Sequence, residues 1–571
     1  MIKQRKRSLR FVAGALTLAL VAAACGGDDD DPKTSGTDEA TTTSEAVEVP
    51  EGGELVIGAE QQPDCMAWIL SCAGSSWGYW SANVHTMPRV FDTVKEGDAW
   101  VAKASALVTE EPELDLTDPE KPVVTYSINP DAVWNDETPV SCADFEFTWR
   151  AIAEGDDVYD PTGYVDIESV DCPDPQTAVV TFSKVFSGWK ALFGGGYGIH
   201  PAHLLDGKDM EAEMASGYEF SAGPWVIESW EKDVEWTLVP NENYWGADKA
   251  KLDKVIFRLQ ADTSAQFTAF KANEVSVIYP QPQIDAVEQI EAGIEGAKSE
   301  FSANTGNLEA LWINNAAFPF EDVAVRQAFA YSIDRDSIVE ALFGPLGVER
   351  PMHTLNPPIL SEFADTEAWA GYTQDLDKVN ELMEGAGWAR NDAGFWEKDG
   401  QQADVEIKST LGNRRREVTV TELISQLGES GFNVTFNPQD AGALFGEQGP
   451  AGDFQVALYA QVLTFISTGQ CNLFCSKNIP SEANDNAGQN WTRTDIAELD
   501  EVLEALDATL DEAEQAELGK QADVIQAENM VSLPLDPLPN ILLWSESVVG
   551  PVSDNPVLGP FVNMNQWGFA A

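Results

Sequence analysis

The stretch from Ser221 to Gln260 constrains the fold more than any other part of the sequence, because its pattern predicts three short strands in succession. Trp225 to Trp230 is rich in aromatic and β-branched residues and follows the turn signal Gly223-Pro224. Val234 to Val239 alternates apolar and polar residues with the period of a half-buried strand. Leu252 to Leu259 is the third predicted strand. So many aromatic residues in three neighbouring strands indicate a dense core around a β-sheet.

The length and charge of the chain bound its class. A chain of 571 residues is too long for one hydrophobic core, so we expect two or more domains. Lys and Arg together number 34 against 95 Asp and Glu, which gives a formal net charge of −61. A surface this acidic repels phosphate backbones, so we expect no nucleic-acid partner. The charge favours solubility and does not identify a ligand.

The amino terminus predicts export. A basic head is followed by an apolar run from Phe11 to Ala24, which is too short to span a bilayer as a mature helix. The small residues Ala22 to Ala24 precede Cys25, as in a signal peptide (residues 1–24) that ends in a lipobox. We expect Cys25 to carry lipid and residues 25–52 to form a flexible acidic linker, since they contain almost nothing apolar. The alternative is a secreted protein with an unmodified Cys25.

Six further cysteines agree with an oxidising compartment. With Cys25 set aside, their even number indicates disulfides, although six cysteines allow fifteen connectivities. Proximity along the chain favours the pairs Cys65–Cys72, Cys142–Cys172 and Cys471–Cys475. We expect no metal site: the C-x3-C motif has no nearby His, and His200 and His203 have no acidic or Cys partner placed to complete a site. No cofactor is expected.

Four motifs in order resemble the signatures of one family. The first is GPW-x4-W, L-V-P-N-x-x-Y-W-G and K-L-D-K-V-I-F-R within Ser221 to Gln260. The others are W-N-D-E-T-P-V-S-C-A-D at 134–144, P-F-x-D-x-x-V-R-Q-A-x4-I-D-R at 319–335, and a short helix closed by Gly at 375–388. They resemble extracellular solute-binding proteins of family 5, the dipeptide- and oligopeptide-binding components of ABC importers. Glu137 stands where the family has Gly, so we expect the turn geometry there to differ.

The resemblance covers roughly 50–570 and implies the fold. That fold is α/β with two lobes, the type II periplasmic-binding-protein architecture with an extra inserted subdomain, hinged around a ligand cleft. We expect lobe 1 at 53–300 plus 531–571, with the insertion at about 89–195, and lobe 2 at 301–530. The implied molecule is a monomer that binds a solute without changing it and passes it to ABC permease subunits at the outer face of the cytoplasmic membrane.

Candidate ligand-binding residues follow from the same resemblance. Family peptide binders often carry an Asp just beyond the strand at 453–459, where it pairs with the ligand's amino group; this chain has none at 461–466. Arg415 and Arg416 adjoin one candidate, Arg414, and a guanidinium there could bind a ligand carboxylate. For each residue, core packing is the competing interpretation. The candidates are Trp77, Tyr79, Trp80, Trp312, Arg414, Tyr459, Gln461, Asn490 and Trp491.

Other functions remain open at this level. The same architecture can bind oligosaccharides or another small solute, since aromatic walls suit both classes of ligand. A sensor lipoprotein would keep the cleft but lack a permease. Gly74 to Gly78 matches G-x-S-x-G, so a serine hydrolase using Ser75 or Ser76 is a third possibility, which needs a preceding strand and a later Asp and His. We expect a protein that is not an enzyme.

Replacing Cys25 with Ser tests the predicted anchor. The substitution removes the thiol that would carry lipid, so we expect the chain to move from the membrane fraction to the soluble fraction. Fractionation of expressing cells and mass spectrometry of the mature amino terminus measure the change. Ser44→Ala in the same linker serves as the matched control and should leave the distribution unchanged. A Cys25→Ser chain that stays with the membrane contradicts the prediction.

Overall fold

Two β-sheets, each packed against its own helices, organise the fold. The computed structural model describes residues 49–97, 99–282, 286, 289–290, 292–303, 305–344, 348–463, 470–481, 484 and 488–570. The signal peptide predicted for residues 1–24, Cys25 and most of the predicted linker lie outside the described residues. Residues from Glu48 onward form one compact unit. Among the described residues, no helix is long and apolar enough to cross a membrane.

The strands are numbered in chain order. They are β1 (Glu54–Ala59), β2 (Phe91–Glu96), β3 (Ala99–Ala104), β4 (Leu114–Asp115), β5 (Val123–Ser127), β6 (Ile167–Asp174), β7 (Thr177–Phe182), β8 (Trp225–Glu231), β9 (Glu235–Pro240), β10 (Lys254–Leu259), β11 (Val277–Ile278), β12 (Ala297–Ser302), β13 (Asn307–Ile313), β14 (Ala389–Arg390), β15 (Trp396–Lys398), β16 (Gln401–Gln402), β17 (Asp404–Thr410), β18 (Asn433–Gln439), β19 (Val456–Val462), β20 (Ser532–Pro537), β21 (Asn540–Ser545), β22 (Val548–Val549) and β23 (Gly568–Phe569).

The longer helices are α1 (Cys142–Ala153), α2 (Thr263–Lys271), α3 (Val323–Tyr331), α4 (Arg335–Phe343), α5 (Leu376–Gly385), α6 (Arg414–Ser430), α7 (Ala497–Ala508) and α8 (Glu512–Glu528). Shorter helical segments are Ser76–Gly78, Tyr79–Asn83, Val84–Thr86, Tyr164–Asp166, Trp189–Ala191, Ala202–Leu205, Met210–Met214, Pro358–Phe363, Ala441–Ala443, Leu444–Gln448, Gly449–Ala451, Gln470–Phe474, Ser476–Asn478 and Met564–Gln566.

The first sheet contains the stretch with which the sequence analysis began. Its strand order is β12-β21-β11-β1-β10-β9-β8, and the three predicted strands are confirmed as β8, β9 and β10. β1 runs parallel to β10 and β11, while β9 pairs antiparallel with β8 and β10. Trp236 and Phe257 face each other across β9 and β10, and their rings stack with centroids 5.2 Å apart. The aromatic residues of this stretch therefore form the core of lobe 1, as predicted.

The second sheet forms lobe 2, with the order β18-β17-β19-β13-β20. β17 is parallel to β18 and β19, and β13 is antiparallel to β19 and β20. The sequence analysis placed the return to lobe 1 at residue 531. The structure corrects that boundary, because β20 pairs with β13 in the second sheet and only β21 joins the first sheet. The end of β12 at Ser302 likewise lies in the first sheet, past the predicted division at residue 300.

Two short crossings join the sheets. One runs from the end of β12 to the start of β13, and the other from the end of β20 to the start of β21. Thr305 Oγ1 donates a hydrogen bond to the Leu538 carbonyl (2.8 Å), and Asn307 Nδ2 donates to Asn540 Oδ1 (2.6 Å). Gly306 lies against the Leu463 carbonyl so closely that a Cβ there would overlap it. The two crossings thus lie side by side, which is the arrangement that a hinge requires.

The inserted subdomain has its own sheet and core. Its strand order is β4-β5-β7-β6, and α1 packs on β6, with Tyr126, Trp134 and Phe145 fully buried. Ser141 and Asp144 form a capping box at the start of α1. Glu137 has a φ of 68°, so a non-Gly residue adopts the left-handed conformation in this turn.

All three predicted disulfide pairs are confirmed. Cys65 bonds to Cys72, Cys142 to Cys172, and Cys471 to Cys475. Cys142 begins α1, and Cys172 lies on β6, so the second bond joins the helix to the sheet of the inserted subdomain. Each bond closes a loop inside one lobe.

Removing the Cys142–Cys172 bond should destabilise the inserted subdomain. The bond joins residues 30 apart in sequence, whereas Cys471 and Cys475 are 4 apart. Because a longer closed loop restricts the unfolded chain more, we expect the Cys142→Ala/Cys172→Ala variant to lose about 3 kcal/mol of unfolding free energy. The Cys471→Ala/Cys475→Ala variant is the matched control and should lose less. Denaturant titration measures both, and an equal or larger loss in the control contradicts the reasoning.

Candidate functional site

The space between the two lobes contains two adjoining cavities of about 180 and 290 Å³, here called the first and second cavity. Both lobes contribute to their walls. The residues that line both cavities are Gly74, Ser75, Ser76, Trp80, Tyr159, Gln461, Val462, Leu473 and Gln489. Because the two cavities share these residues, they form one cleft, with the first cavity on the side of the hinge residues Asn307 and Asn540.

A helical segment of lobe 1 supplies one aromatic wall. It runs from Ser76 to Thr86, and its middle turn, Tyr79–Asn83, is a π-helix. Such wide turns are frequent at functional sites, since they redirect neighbouring side chains. Trp77 and Trp80 line the first cavity, with their ring centroids 6.2 and 5.9 Å from that of Tyr279. Trp80 packs against Gly559, where φ is 85° and any Cβ would overlap the indole.

Lobe 2 supplies the facing wall through Tyr459, Phe445 and Trp491. The ring of Phe445 lies 5.4 Å from that of Tyr459, and Trp491 lies 6.2 Å from Tyr459. Phe445 also belongs to a π-helical segment, Leu444–Gln448. Trp312 stacks behind Tyr459 at 5.4 Å and donates a hydrogen bond from Nε1 to the Tyr459 carbonyl (3.0 Å). Trp312 therefore fixes the wall from the core and lines neither cavity.

Six of the nine candidate ligand-binding residues lie on the cleft. Trp77, Trp80, Tyr459, Gln461 and Trp491 line the first cavity, and Tyr79 lines the second. The other candidates, Trp312, Asn490 and Arg414, line neither.

Asn490 and Arg414, the two polar candidates that line neither cavity, form contacts with other residues of the chain. Asn490 is fully buried and donates from Nδ2 to the carbonyls of Cys475 and Thr494, which fixes the loop before Trp491. Arg414 is exposed and pairs with Glu417 at 2.9 Å on the solvent side of α6. Successive side chains of a helix point in directions about 100° apart, so the two arginines that follow Arg414 point inward instead.

Those two arginines belong to a buried charge cluster that the sequence analysis did not identify. Arg416 Nε donates to Glu309 Oε1 (2.6 Å), and Arg415 Nη2 donates to Glu309 Oε2 (3.1 Å). Arg415 Nη1 lies 3.8 Å from Asp536 Oδ2. Burial would raise the pKa of Glu309, but the two guanidinium groups lower it to about 2. Arg416 is the member of this group that lines the first cavity.

Glu60 extends the cluster to lobe 1. It directly follows β1, and its two carboxylate oxygens accept hydrogen bonds from Gln281 Nε2 at 2.9 and 2.7 Å. Gln281 Oε1 accepts in turn from Arg415 Nη2 at 3.3 Å, across the cleft. Burial raises the pKa of Glu60 to about 7, although Gln281 and the two arginines oppose the shift. The sequence signal was available: β1 and β11 are parallel, and ligand sites gather at the carboxyl ends of such strands.

The second cavity carries a further contact between the lobes. Asn472 Nδ2, from lobe 2, donates to Asp160 Oδ2 at 2.9 Å and to Gln489 Oε1 at 3.0 Å. The Ser187 amide donates to the Asp507 carbonyl at 2.7 Å, also across the cleft. Together with the Gln281–Arg415 bond, these contacts hold the two lobes in a closed arrangement.

The G-x-S-x-G motif lies on the cleft but lacks the partners of a hydrolase. Ser75 Oγ donates to the Gln62 carbonyl at 3.2 Å. No strand leads directly into the motif, since β1 ends at Ala59. All four histidines are described, and none of them lines either cavity. The cleft therefore offers no histidine to activate Ser75 or Ser76.

Comparisons with known proteins agree with this geometry. Residues 106–470 match the model of bacterial extracellular solute-binding proteins, family 5 Middle. The oligopeptide-binding protein OppA of Mycobacterium bovis is 23% identical over 517 residues, which is 88% of this chain and 83% of that protein. The fold also resembles the oligopeptide-binding protein AppA of Bacillus subtilis in complex with a nonapeptide, with a TM-score of 0.80, 18% identity, and coverage of 92% of this chain and 100% of that one.

A further solved structure, the periplasmic EDTA-binding protein EppA, gives a TM-score of 0.78 at 22% identity and covers 94% of this chain and 100% of that one. Identities this low show a common fold. They do not identify the ligand of this chain.

Replacing Glu309 with Gln should strongly destabilise lobe 2. The change leaves two buried guanidinium groups without their carboxylate, so we expect a loss of about 3 kcal/mol of unfolding free energy at pH 7. The folded pKa of Glu309, about 2, lies below its ordinary value of 4.5. The stabilisation is therefore present above pH 4.5 and disappears as the pH falls towards 2.

Denaturant titration at several pH values measures the unfolding free energies of the wild-type chain and of Glu309→Gln. The difference between these free energies should narrow below pH 4.5. Glu168→Gln is the matched control, because Glu168 pairs with Lys121 at 2.7 Å on the exposed surface. This control should change stability little or not at all. A Glu309→Gln chain as stable as the control at pH 7 contradicts the prediction.

Proposed function

Because the chain belongs to the bacterial extracellular solute-binding proteins of family 5, we propose that it captures di- and oligopeptides by closure of its lobes and delivers them to an ABC permease. The released peptide is unchanged, so the protein acts as a carrier and not as an enzyme. In this proposal the lipid on Cys25 holds the monomer at the outer face of the cytoplasmic membrane, and residues 25–52 form the flexible linker between the lipid and the folded protein.

The observation that carries the proposal is the division of one cleft between two lobes. The first cavity takes Trp77 and Tyr279 from lobe 1 and Tyr459 and Trp491 from lobe 2. In the part of the chain that the structure describes, two short crossings, tied by Thr305 and the hinge asparagines, connect the lobes. A ligand bound between the two walls contacts both lobes only when they are closed, so binding energy favours the closed form.

The chemistry of the cleft supports a peptide. Side-chain amides of Gln461, Gln489 and Asn540 line the first cavity together with the aromatic rings. An amide both donates and accepts hydrogen bonds, which matches the backbone of an extended peptide, while the rings give apolar surface for varied side chains. The relatives OppA and AppA are named for oligopeptide binding, which supports the same ligand class.

Truncation of the lobe 2 wall tests the proposal. Tyr459→Ala and Trp491→Ala each remove a ring that lines the first cavity, so we expect peptide affinity to fall by about 10- to 100-fold. Calorimetry with a random pentapeptide library measures affinity, and small-angle scattering measures the decrease in radius of gyration on closure.

Trp100→Ala is the matched control, since Trp100 lies on the β2–β3 hairpin and lines neither cavity. It should bind and close like the wild-type chain. A wild-type chain that neither binds the library nor closes with it contradicts peptide capture.

A further inference from the structure

The buried cluster between the lobes holds more carboxyl groups than guanidinium groups, and one of its carboxyl groups has no ion-pair partner. It contains three carboxylates, Glu60, Glu309 and Asp536, and two guanidinium groups, Arg415 and Arg416. All five side chains belong to residues that are at most 8% exposed. Glu309 accepts hydrogen bonds from both arginines, and Arg415 also approaches Asp536. Buried charges are stable when they are paired, so the cluster is incomplete as it stands.

Glu60 is the carboxylate that the cluster leaves without a cation. Among the described residues, no Lys, Arg or His nitrogen lies within ion-pair distance of it, and its hydrogen-bond donor is the neutral amide of Gln281. It is also the one of the three carboxylates that lines the first cavity. The unbalanced negative charge therefore lies where a ligand can reach it.

The surroundings of Glu60 suit a positively charged group. Trp77, Trp80 and Tyr279 line the same cavity, and aromatic faces attract cations. The lining guanidinium of Arg416 is already held by Glu309 and by Thr410 Oγ1 at 2.7 Å, so its charge is compensated.

A third cavity of about 420 Å³ adjoins Glu60 and is also acidic. Asp64 and Asp440 line it from opposite lobes, with Lys232 as its one lining cation among the described residues. Burial and the nearby Asp440 raise the pKa of Asp64 to about 7, against the effect of Lys232. The negative potential at Glu60 thus extends beyond the first cavity.

We propose that the cleft selects ligands that carry a cationic nitrogen, an ammonium or guanidinium group, and that Glu60 pairs with this group between the rings of Trp77, Trp80 and Tyr279. The proposal rests on the proposed function and adds the chemical class of the ligand. In the loaded protein, the ligand places a positive charge beside Glu60.

A proton takes the place of that charge when the cleft is empty. Burial raises the pKa of Glu60 to about 7 and that of Asp536 to about 8, while Arg415 and Arg416 oppose both shifts. The other titratable groups that face this part of the cleft are Glu309 in the cluster, Tyr159, Tyr279 and Tyr459 at the first cavity, and Asp64, Lys232, Asp233 and Asp440 at the third cavity. A bound cation favours ionised Glu60, so binding releases a proton. For a guanidinium ligand, affinity rises by about 10-fold as the pH increases from 6 to 8. For a free amino terminus the rise is smaller, because the α-ammonium group loses its own proton at about pH 8.

Two peptide libraries test the selection. One is a random pentapeptide library with free amino termini; the other is N-acetylated and omits Lys, Arg and His. Calorimetry in buffers of different ionisation enthalpy gives affinity and proton release together. We expect the wild-type chain to prefer the first library by about 10-fold or more and to release close to one proton at pH 6. Glu60→Gln should lose both the preference and the proton release.

The controls keep the outcomes separate. Glu60→Asp keeps the charge and should retain part of the preference, and Glu228→Gln, which changes a glutamate paired with Lys254 on the surface, should behave like the wild-type chain. Equal binding of both libraries by the wild-type chain, or an unchanged preference in Glu60→Gln, overturns the inference but not peptide capture. If neither library binds, spermidine and agmatine are tested. Glu60-dependent binding of these cations supports the inference and overturns peptide capture, and no binding overturns both.

Discussion

The buried pairing of Glu309 with Arg415 and Arg416 is the interaction on which the rest of the cleft depends. Glu309 lies on β13, the strand that follows the first crossing, and the arginines begin α6, whose cap is the side chain of Asn413. The pair therefore joins the central sheet of lobe 2 to the helix that faces the cleft. Gln281 carries the contact to Glu60 in lobe 1. Geometry on both sides of the cleft is thus set by largely buried ionisable groups, of which Glu60 and Arg416 line the first cavity.

The aromatic walls follow a different physical logic. Trp312 holds Tyr459 from behind, and Gly559 allows Trp80 to pack against the backbone. Rings fixed in this way present apolar surface without losing side-chain freedom when a ligand arrives. Polar groups line both cavities: Gln461, Gln489 and Asn540 line the first, and Asp160 and Asn472 line the second. The cleft therefore combines fixed rings with side chains that can form hydrogen bonds.

The sequence predicted the architecture better than the site. Local pattern was sufficient for β8 to β10, and the cysteine spacing was sufficient for the disulfides, because both depend on residues close in the chain. The boundary at β20 was missed, since strand pairing with β13 is a contact between distant residues. Arg414 was chosen in place of Arg415 and Arg416 because three adjacent arginines look alike until the helix phase is known. Glu60 was missed, although its place after β1 was a signal, because its role depends on Gln281 and Arg415, which are distant from it in the chain.

The placement of the disulfides has a mechanical consequence. Each covalent link stiffens one body, and none of the three bridges the described crossings at Thr305 and Leu538. In the proposed closing motion, flexibility is therefore confined to the two crossings and a few hydrogen bonds. Under that proposal the lobes rotate about a small number of backbone torsion angles, while each disulfide-bonded body moves as a unit.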